Sequence, residues 1–584
     1  MQGNGSCGPS RGDGPSVGHR LQGLELVRRA LCWSRRGCTS ASFRPQAGVH
    51  RIAPYQAHEP PGCARGHGRV VRAVQGGEVL EYRYDKAGRC VERELLPGPW
   101  QEVAHRTAYA HDDNGRLTAL ELDGGSLSFE RDVRGNPTSL RLGEDLSLEQ
   151  RFDERGLLAT QELVVGQKPA GLDRRYAYDA AGNLIEVEDS HWGSTRYRLD
   201  RSDRILAAVE RDDTGEAFAY DANGLLARHR VVDQKQDLDL IFESGPGGLP
   251  CRVGNTEYEF DAVGRLVRKT VTEDGWRPKT WTFVWDSRDR LLEARTPDGQ
   301  IWRYGYDPLG RRVLKYNPGT RASVHYLWDG DVLLRELYLE AKAAEGMEQV
   351  ARVVYWHHEP ETFRPLAREV EGEFHLVVSD AIGTPVGLIA EGGEVTWRSC
   401  RSVWGAVTGQ VPRREGDDVP IGFPGQYLDH ETGLLYNRFR YYEPQLGSYI
   451  GPDPIGLAGG QQPWAYVPNP SGWMDPLGLQ GACSHVDDVI EETLSSKQKN
   501  FTSEHVLTAD EALEAGEKFL GPNYQEIGGS GSGVFRSTDG TRQFRIDPES
   551  ISGNHNPFEP HVHLEVLNPG ATKPHINNHV IFTN

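Results

Sequence analysis

The sequence predicts a mainly β protein: a long antiparallel sheet of short hairpins that curls along its length, followed by a small α+β domain. Three observations predict this. From Val70 onward one phrase recurs, an aromatic or apolar residue, then Asp, two or three variable residues and Gly. The recurrence gives way to a dense run of aromatic, Gly and Asp-Pro signals from Gly425 to Leu479. Beyond Leu479 no copy remains, and helical and alternating patterns take over. The chain therefore divides into an irregular segment (1 to 68), a repeat region (69 to 420), a seam (421 to 479) and a tail (480 to 584).

Composition bounds what these parts can do. A chain of 584 residues exceeds one ordinary core and favours several domains. A net charge of -19 keeps it soluble and excludes a whole-protein polyanion binder, which would need a basic field. No stretch approaches the roughly 18 to 20 apolar residues that cross a bilayer, and no apolar core follows a basic start, so neither membrane anchoring nor Sec export is expected. The eight cysteines are sparse, and Cys90, Cys251, Cys400 and Cys483 stand alone. They are read as reduced thiols, without a disulfide framework or a CxxC metal knuckle.

Residues 1 to 68 are rich in Gly, Arg, Ser and Pro, with one short apolar segment from Leu21 to Leu31, a composition read as disorder. The pairs Arg28, Arg29 and Arg35, Arg36 leave open a basic arm that touches nucleic acid.

The repeats come next. Full copies include Tyr82-Arg-Tyr84-Asp85-Lys-Ala-Gly88-Arg89, Tyr176-Ala-Tyr178-Asp179-Ala-Ala-Gly182-Asn183, Tyr258-Glu-Phe260-Asp261-Ala-Val-Gly264-Arg265 and Tyr304-Gly-Tyr306-Asp307-Pro-Leu-Gly310-Arg311, with weaker copies at Asp112, Asp132, Asp200 and Asp286. The aspartates mostly recur every ~20 to 27 residues, the mark of stacked repeats. Tyr-x-Tyr sets two rings on one strand face, and Asp-x-x-Gly supplies a side-chain-capped turn with a left-handed position, so each unit is a hairpin. One hairpin cannot bury its face, so successive hairpins pair edge to edge. The tyrosines are read as packing residues; stacking on carbohydrate is the alternative.

These phrases resemble the YD repeats of the RHS family over roughly residues 70 to 479. The resemblance implies a shell wound from repeats around a C-terminal toxin, with Gly425 to Leu479 as the core-associated plug. The array is shorter than family shells that close and has no PAAR-like or membrane-spanning start, so a partial shell from a truncated member is expected.

Within the seam, Asp453-Pro454-Ile455-Gly456-Leu457 is echoed by Asp475-Pro476-Leu477-Gly478-Leu479. The pair matches the family's self-cleavage motif, which implies aspartyl chemistry by Asp453 and Asp475 and a cut between Leu479 and Gln480. Such chemistry needs two neighbouring carboxyls, one ionised to activate water and one neutral to polarise the carbonyl. The competing reading makes both aspartates ordinary turn residues before proline. Arg440, in Tyr-Asn-Arg438-Phe-Arg440-Tyr-Tyr, is an accessory candidate for holding an aspartate, and strand packing or surface pairing explains it equally well.

The tail begins with predicted helices at Val486 to Leu494 and Thr508 to Leu520, the second with Thr508 as N-cap and Glu511 three residues on. Strands are predicted at 533 to 537, 542 to 546, 561 to 567 and 579 to 582. Strand parity sets His561, His563 and Glu565 on one face. With His579 these form a candidate acid/base surface, and Arg542, Arg545 and Lys573 are candidate phosphate-binding cations. Metal-independent RNA cleavage needs a base for the 2′-hydroxyl, an acid for the leaving 5′-oxygen and a cation for the phosphorane. The same histidines with Asn577 and Asn578 could instead hold a metal for a hydrolytic nuclease, and a binding module is the third reading. His563-Leu-Glu565 mimics a deaminase HxE, but the downstream PCxxC is absent. Seven Lys and Arg against fifteen Asp and Glu make the tail acidic, so any RNA must meet a local cationic face.

The tail phrase from Gly533 to Glu565 resembles tip domains of bacterial polymorphic toxins. The resemblance as a whole implies production in the cytoplasm, delivery into competing bacteria, with type VI secretion as one route, a cognate immunity protein, and a toxin for which ribonuclease activity without cofactor is the expectation. The alternatives are a metal-dependent nuclease tip and a non-enzymatic, carbohydrate-binding adhesion protein.

Overall fold

A computed structural model describes residues 69–479 and 486–583, apart from short stretches at 211–213, 222–223, 233–236, 246–247, 274, 342–347, 361, 413–417, 457–461, 497, 504–506, 522–523, 528–531, 547–549, 551–559, 569 and 572. The 1 to 68 segment, Gln480 and Cys483 thus lie outside the described residues. The chain forms two compact units, Met1–Gly481 and Ala482–Asn584. Among the described residues no helix is long and apolar enough to cross a membrane, and Cys90, Cys251 and Cys400 are free thiols.

In the first unit, 31 strands from Arg72–Gln75 to Val407–Pro412 each pair antiparallel with the strand before and the strand after. Local chemistry sets the turns between them. At Asp179 the Oδ1 accepts the backbone N–H of Ala181 (2.9 Å) and of Asn183 (2.9 Å), while Gly182 N–H bonds Asp179 O (3.2 Å). Gly182 takes φ 91°, and the same position is filled at positive φ by Gly88, Gly156, Gly264 and Gly310. In the two weaker copies at Asp200 and Asp286 it is filled by Asp203 (φ 57°) and Asp289 (φ 58°), aspartate being among the residues that tolerate this conformation.

Two further contacts chain the units together. The aromatic residue ahead of the turn sits at a register shift and reaches back to the preceding repeat: Tyr178 Oη donates to Leu158 O (2.9 Å), Tyr306 Oη to Leu291 O (2.9 Å) and Trp285 Nε1 to Leu266 O (2.7 Å). The arginine after the turn reaches forward: Arg265 pairs with Asp261 (2.7 Å) and donates to Asp286 O (2.8 Å) of the next turn. These tyrosine hydroxyls are thus spent on neighbouring repeats, the packing role, rather than offered to a sugar.

Gly264 tests this turn. A Cβ there would lie 2.5 Å from the Trp464 ring, whose Nε1 donates to Gly264 O (3.0 Å), at a φ of 87°. Gly264→Ala is expected to cost at least about 1–2 kcal/mol from the left-handed backbone alone, read as a lower denaturant midpoint with an unchanged slope.

The ribbon also folds back on itself. Leu117, Leu127, Leu140 and Leu148 share a core with Leu366, Phe374, Leu376 and Ile389, and Leu80 and Leu95 pack on Leu327 and Leu334. Polar contacts bridge the same separation: Arg93 to Asp329 (2.8 Å), Arg131 to Glu359 (2.9 Å) and Gln161 Nε2 to Ser379 O (2.9 Å). The largest core joins strands between Ile205 and Trp404 to a separate four-stranded sheet, Tyr427–Asp429, Leu434–Asn437, Arg440–Glu443 and Ser448–Tyr449.

Buried charge seats this small sheet. Arg312 bonds Asp429 (2.6 Å), with both side chains almost wholly buried. Its guanidinium also lies 4.5 to 6.0 Å from the ring centres of Tyr304, Tyr326, Tyr427, Tyr436 and Tyr441. Lys315 pairs with Glu431 (3.0 Å), and Trp281 Nε1 donates to Glu431 O (3.0 Å).

The second unit carries helices Val486–Ser495 and Ala509–Leu520 beside a sheet that includes Val534–Arg536, Arg542–Arg545, His561–Val566 and Ile576–Thr583. Val489, Ala512, Ala515 and Phe519 of the helices share its core with Phe544, Val562, Leu564, Val580 and Phe582. The second helix starts one residue later than the predicted range, because Leu507–Thr508 pairs parallel with Phe582 and Thr583. The short strands Asn500–Thr502 and Gln525–Glu526 carry too few residues to leave a periodic signal in the sequence.

Candidate functional site

The seam brings its two aspartates to one arginine. Arg440, on the strand Arg440–Glu443, places Nη2 3.0 Å from Asp453 Oδ2 and 3.1 Å from Asp475 Oδ2, with all three side chains buried. A single nitrogen therefore spans both carboxylates. Arg440 also donates from Nε to Gly478 O and from Nη1 to Pro463 O (3.0 Å), and its guanidinium lies 3.6 Å from the Tyr449 ring centre. Its neighbour Arg438 turns away at φ 53° to pair with Asp331 (2.6 Å).

The surroundings of the two aspartates differ. Asp475 accepts from Tyr449 Oη (2.7 Å) and from Leu479 N–H (3.0 Å, at Oδ1), while Asn437 Nδ2 donates to its carbonyl (2.9 Å). Among the described residues, Asp453 accepts the Ile455 N–H (2.9 Å) beyond its pairing with Arg440. Burial pushes the Asp453 carboxyl up to about 6, with Arg440 opposing and Asp475 adding to the rise. Both aspartates thus cap their own turns and also share one buried arginine.

Glycines let the backbone close around them. A Cβ on Gly425 would lie 1.9 Å from Pro476 O, and one on Gly478 2.5 Å from Asn437 O. The segment ahead of Leu479 is thereby held on the Asn437–Arg440 hairpin, where Phe439 N–H also bonds Leu477 O (3.1 Å). Tyr449 and Asn437 are site residues that the sequence reading missed. Their signal is their place on the two strands that flank Arg440.

In the tail, register completes what parity begins. His563 pairs across from His579, and Glu565 from Asn577. The rings of His561, His563 and His579 lie 4.5 to 5.2 Å apart between centres, all buried. Arg545 Nη2 is 2.9 Å from His563 Nε2 and 3.0 Å from Nδ1, and its Nε is 3.5 Å from Glu565. Ser550 Oγ and Asn577 Oδ1 also meet His563 (3.0 Å each), and Asn500 Oδ1 meets His579 (3.0 Å). Burial first, then Arg545, pushes the His563 imidazole down to about 3. Burial raises the Glu565 carboxyl, against Arg545 and a Gln543 hydrogen bond.

Two predicted cations are not part of this cluster. Arg542 shares the strand face of Phe544 and donates to Phe519 O (3.0 Å) on the helix side, so the sequence-based role for it is corrected: strand parity separates it from Arg545. Lys573 is exposed in the bend ahead of Ile576–Thr583. Asn578 also faces the helices, donating to Thr493 Oγ1 (2.9 Å).

The Teneurin YD-shell family model matches residues 193–458. The chain is 33% identical over 474 residues to "Probable deoxyribonuclease RhsB" of Dickeya dadantii, covering 76% of this chain and 32% of that protein. It is 32% identical over 478 residues to "Double-stranded DNA deaminase toxin A" of Burkholderia cenocepacia, covering 69% and 33%. The chain thus spans about a third of the length of these curated relatives. The fold is similar to a chain in the Photorhabdus luminescens Tc holotoxin pore, with a TM-score of 0.52 at 16% identity over 70% of this chain and 21% of that one.

Proposed function

Because this chain belongs to the RHS/YD-repeat family of polymorphic toxins, we propose that its repeat unit carries a toxin of residues 480 to 584 and frees it by cutting itself after Leu479, for use between competing bacteria. The observation that carries the reading is the convergence of Asp453 and Asp475 on Arg440 beside the pinned Gly478 and Leu479. Asp475, met by three donors, is the carboxylate that activates water. Asp453, with its raised pKa, is the partner that polarises the Leu479 carbonyl while neutral. Arg440 positions both and steadies charge on the tetrahedral intermediate. Delivery, with type VI secretion as one route, and a cognate immunity protein belong to the same proposal.

For the freed tail the reading is metal-independent RNA cleavage. Arg545 supplies the cation for the phosphorane oxygens. In this reading His563, beside it, is the proton acceptor and Glu565 the donor. The named activities of the relatives, a deoxyribonuclease and a DNA deaminase, both act on nucleic acid, which supports that substrate class. A metal-dependent nuclease is the second reading, favoured by one observation: ligand atoms of His561, His563 and His579 lie within 4.8 Å of one another. Against it, a cation there would face the Arg545 guanidinium about 3 Å from His563.

Expression of residues 480 to 584 in bacteria tests both. RNA loss that survives a chelator, and falls by about 10²–10⁴-fold in His563→Ala or Arg545→Ala, is the expected result. Cleavage that needs added divalent metal transfers the assignment to the second reading, and an inert folded domain overturns both.

A further inference from the structure

A second cluster lies in the repeat unit, far from the seam in sequence and unused by the proposed chemistry. His105 opens the strand His105–His111, His357 is next to last in Glu348–His358, and Glu369 lies on Pro365–Val370. Fold-back of the ribbon brings them together: His105 Nε2 is 2.9 Å and His357 Nε2 3.3 Å from the same oxygen, Glu369 Oε2. The side chains are 10%, 1% and 10% exposed. His105 is stacked on Tyr355 with ring centres 3.8 Å apart, which fixes its plane.

From this geometry we propose that His105, His357 and Glu369 form a binding site for a divalent transition metal, zinc being the ion their donor set fits, which staples the first strands of the ribbon to its later ones. Two imidazole nitrogens and a carboxylate oxygen are a common zinc donor set, and metal–ligand distances of about 2.0–2.1 Å put tetrahedral ligand atoms about 3.3 Å apart. The observed spacings of 2.9 and 3.3 Å need only small shifts, and all three ligand atoms lie within 4.8 Å of one another. Arg93, whose charge acts on His357, is paired with Asp329 at 2.8 Å. Because the ligands are separated by 12 and 264 residues, a bound ion closes a very long loop and favours the folded-back ribbon over an open one.

The test uses the purified full chain, dialysed against chelator and then titrated with zinc chloride, with zinc content read by elemental analysis and the unfolding midpoint read alongside. Wild type is expected to retain one more zinc ion than Glu369→Gln or His105→Gln and to lose midpoint on chelation, whereas His561→Ala keeps the difference. Glutamine at 369 preserves a hydrogen-bond acceptor, so a folded but zinc-deficient variant isolates the ligand role. Equal zinc content and equal midpoints in wild type and Glu369→Gln, or a difference that follows His561 instead, would overturn the proposal.

Discussion

Asp475→Asn is expected to leave the purified chain uncut, with cleavage after Leu479 slowed by about 10²–10⁴-fold, the range set by losing a positioned acid or base. The amide keeps the shape of the side chain and the bond to Leu479 N–H, so the seam stays folded while the proton acceptor is lost. Intact mass measurement over time checks this. Asp453→Asn is expected to act differently from an ordinary charge removal, since the role given to Asp453 is that of the neutral partner. Its carboxyl, pushed up to about 6, is neutral below that pH and ionised above it. The cleavage rate of the wild type should therefore fall as pH rises through about 6, by about tenfold per unit once above it. A rate that instead climbs through this range would remove Asp453 from that role, and a fully cut Asp475→Asn chain would remove the paired-aspartate chemistry.

The second large effect falls far from the scissile bond. Arg312→Ala strips the cation from a pocket of five tyrosines and leaves Asp429 buried, with Lys315, 3.4 Å away, as its remaining cation among the described residues. Breaking such a pair from one side costs about 3–5 kcal/mol. Tyr436 and Tyr441, which flank Arg312, lie on the hairpin that carries Asn437 and Arg440, so the loss should reach the aspartates as slower cleavage. Denaturant unfolding with a parallel cleavage assay measures both. Arg312→Met combined with Asp429→Leu removes both charges and should recover much of the lost stability, because the cost lies mainly in the orphaned carboxylate. If Arg312→Ala matches wild type in both assays, the buried pair does not hold the small sheet in place.

The parts of this structure legible in the sequence are those set by nearby residues. Asp179 and Gly182 define their turn within a few positions, so the hairpins and their succession could be read directly, including the weaker copies where Asp203 and Asp289 replace glycine. The aspartate pair could be read because its motif is repeated. Arg440 was a candidate from the sequence, but its role stayed open, since parity alone does not say that Arg438 leaves the strand in a left-handed turn while Arg440 stays buried. In the tail, parity grouped His561, His563 and Glu565, but the partnership of His563 with His579 depends on strand register. Arg542 was grouped with Arg545 on charge, although strand parity already puts it on the face of Phe544 and away from the histidines. Arg312 with Asp429, and His105 with Glu369, meet across 117 and 264 residues, and no local pattern encodes either.

The fold-back sets a timetable. Gln75 bonds Tyr326 O (3.1 Å) and Trp328 N–H (3.2 Å), so the first strand meets its partners only after some 250 further residues have been made. At about 5–20 residues per second this takes tens of seconds on the ribosome. During that interval Leu80, Leu95, Leu127 and Leu140 lack the residues that later cover them. The first half of the ribbon thus stays bare on one face until the second half is made, and the early strands are covered in the order of their synthesis.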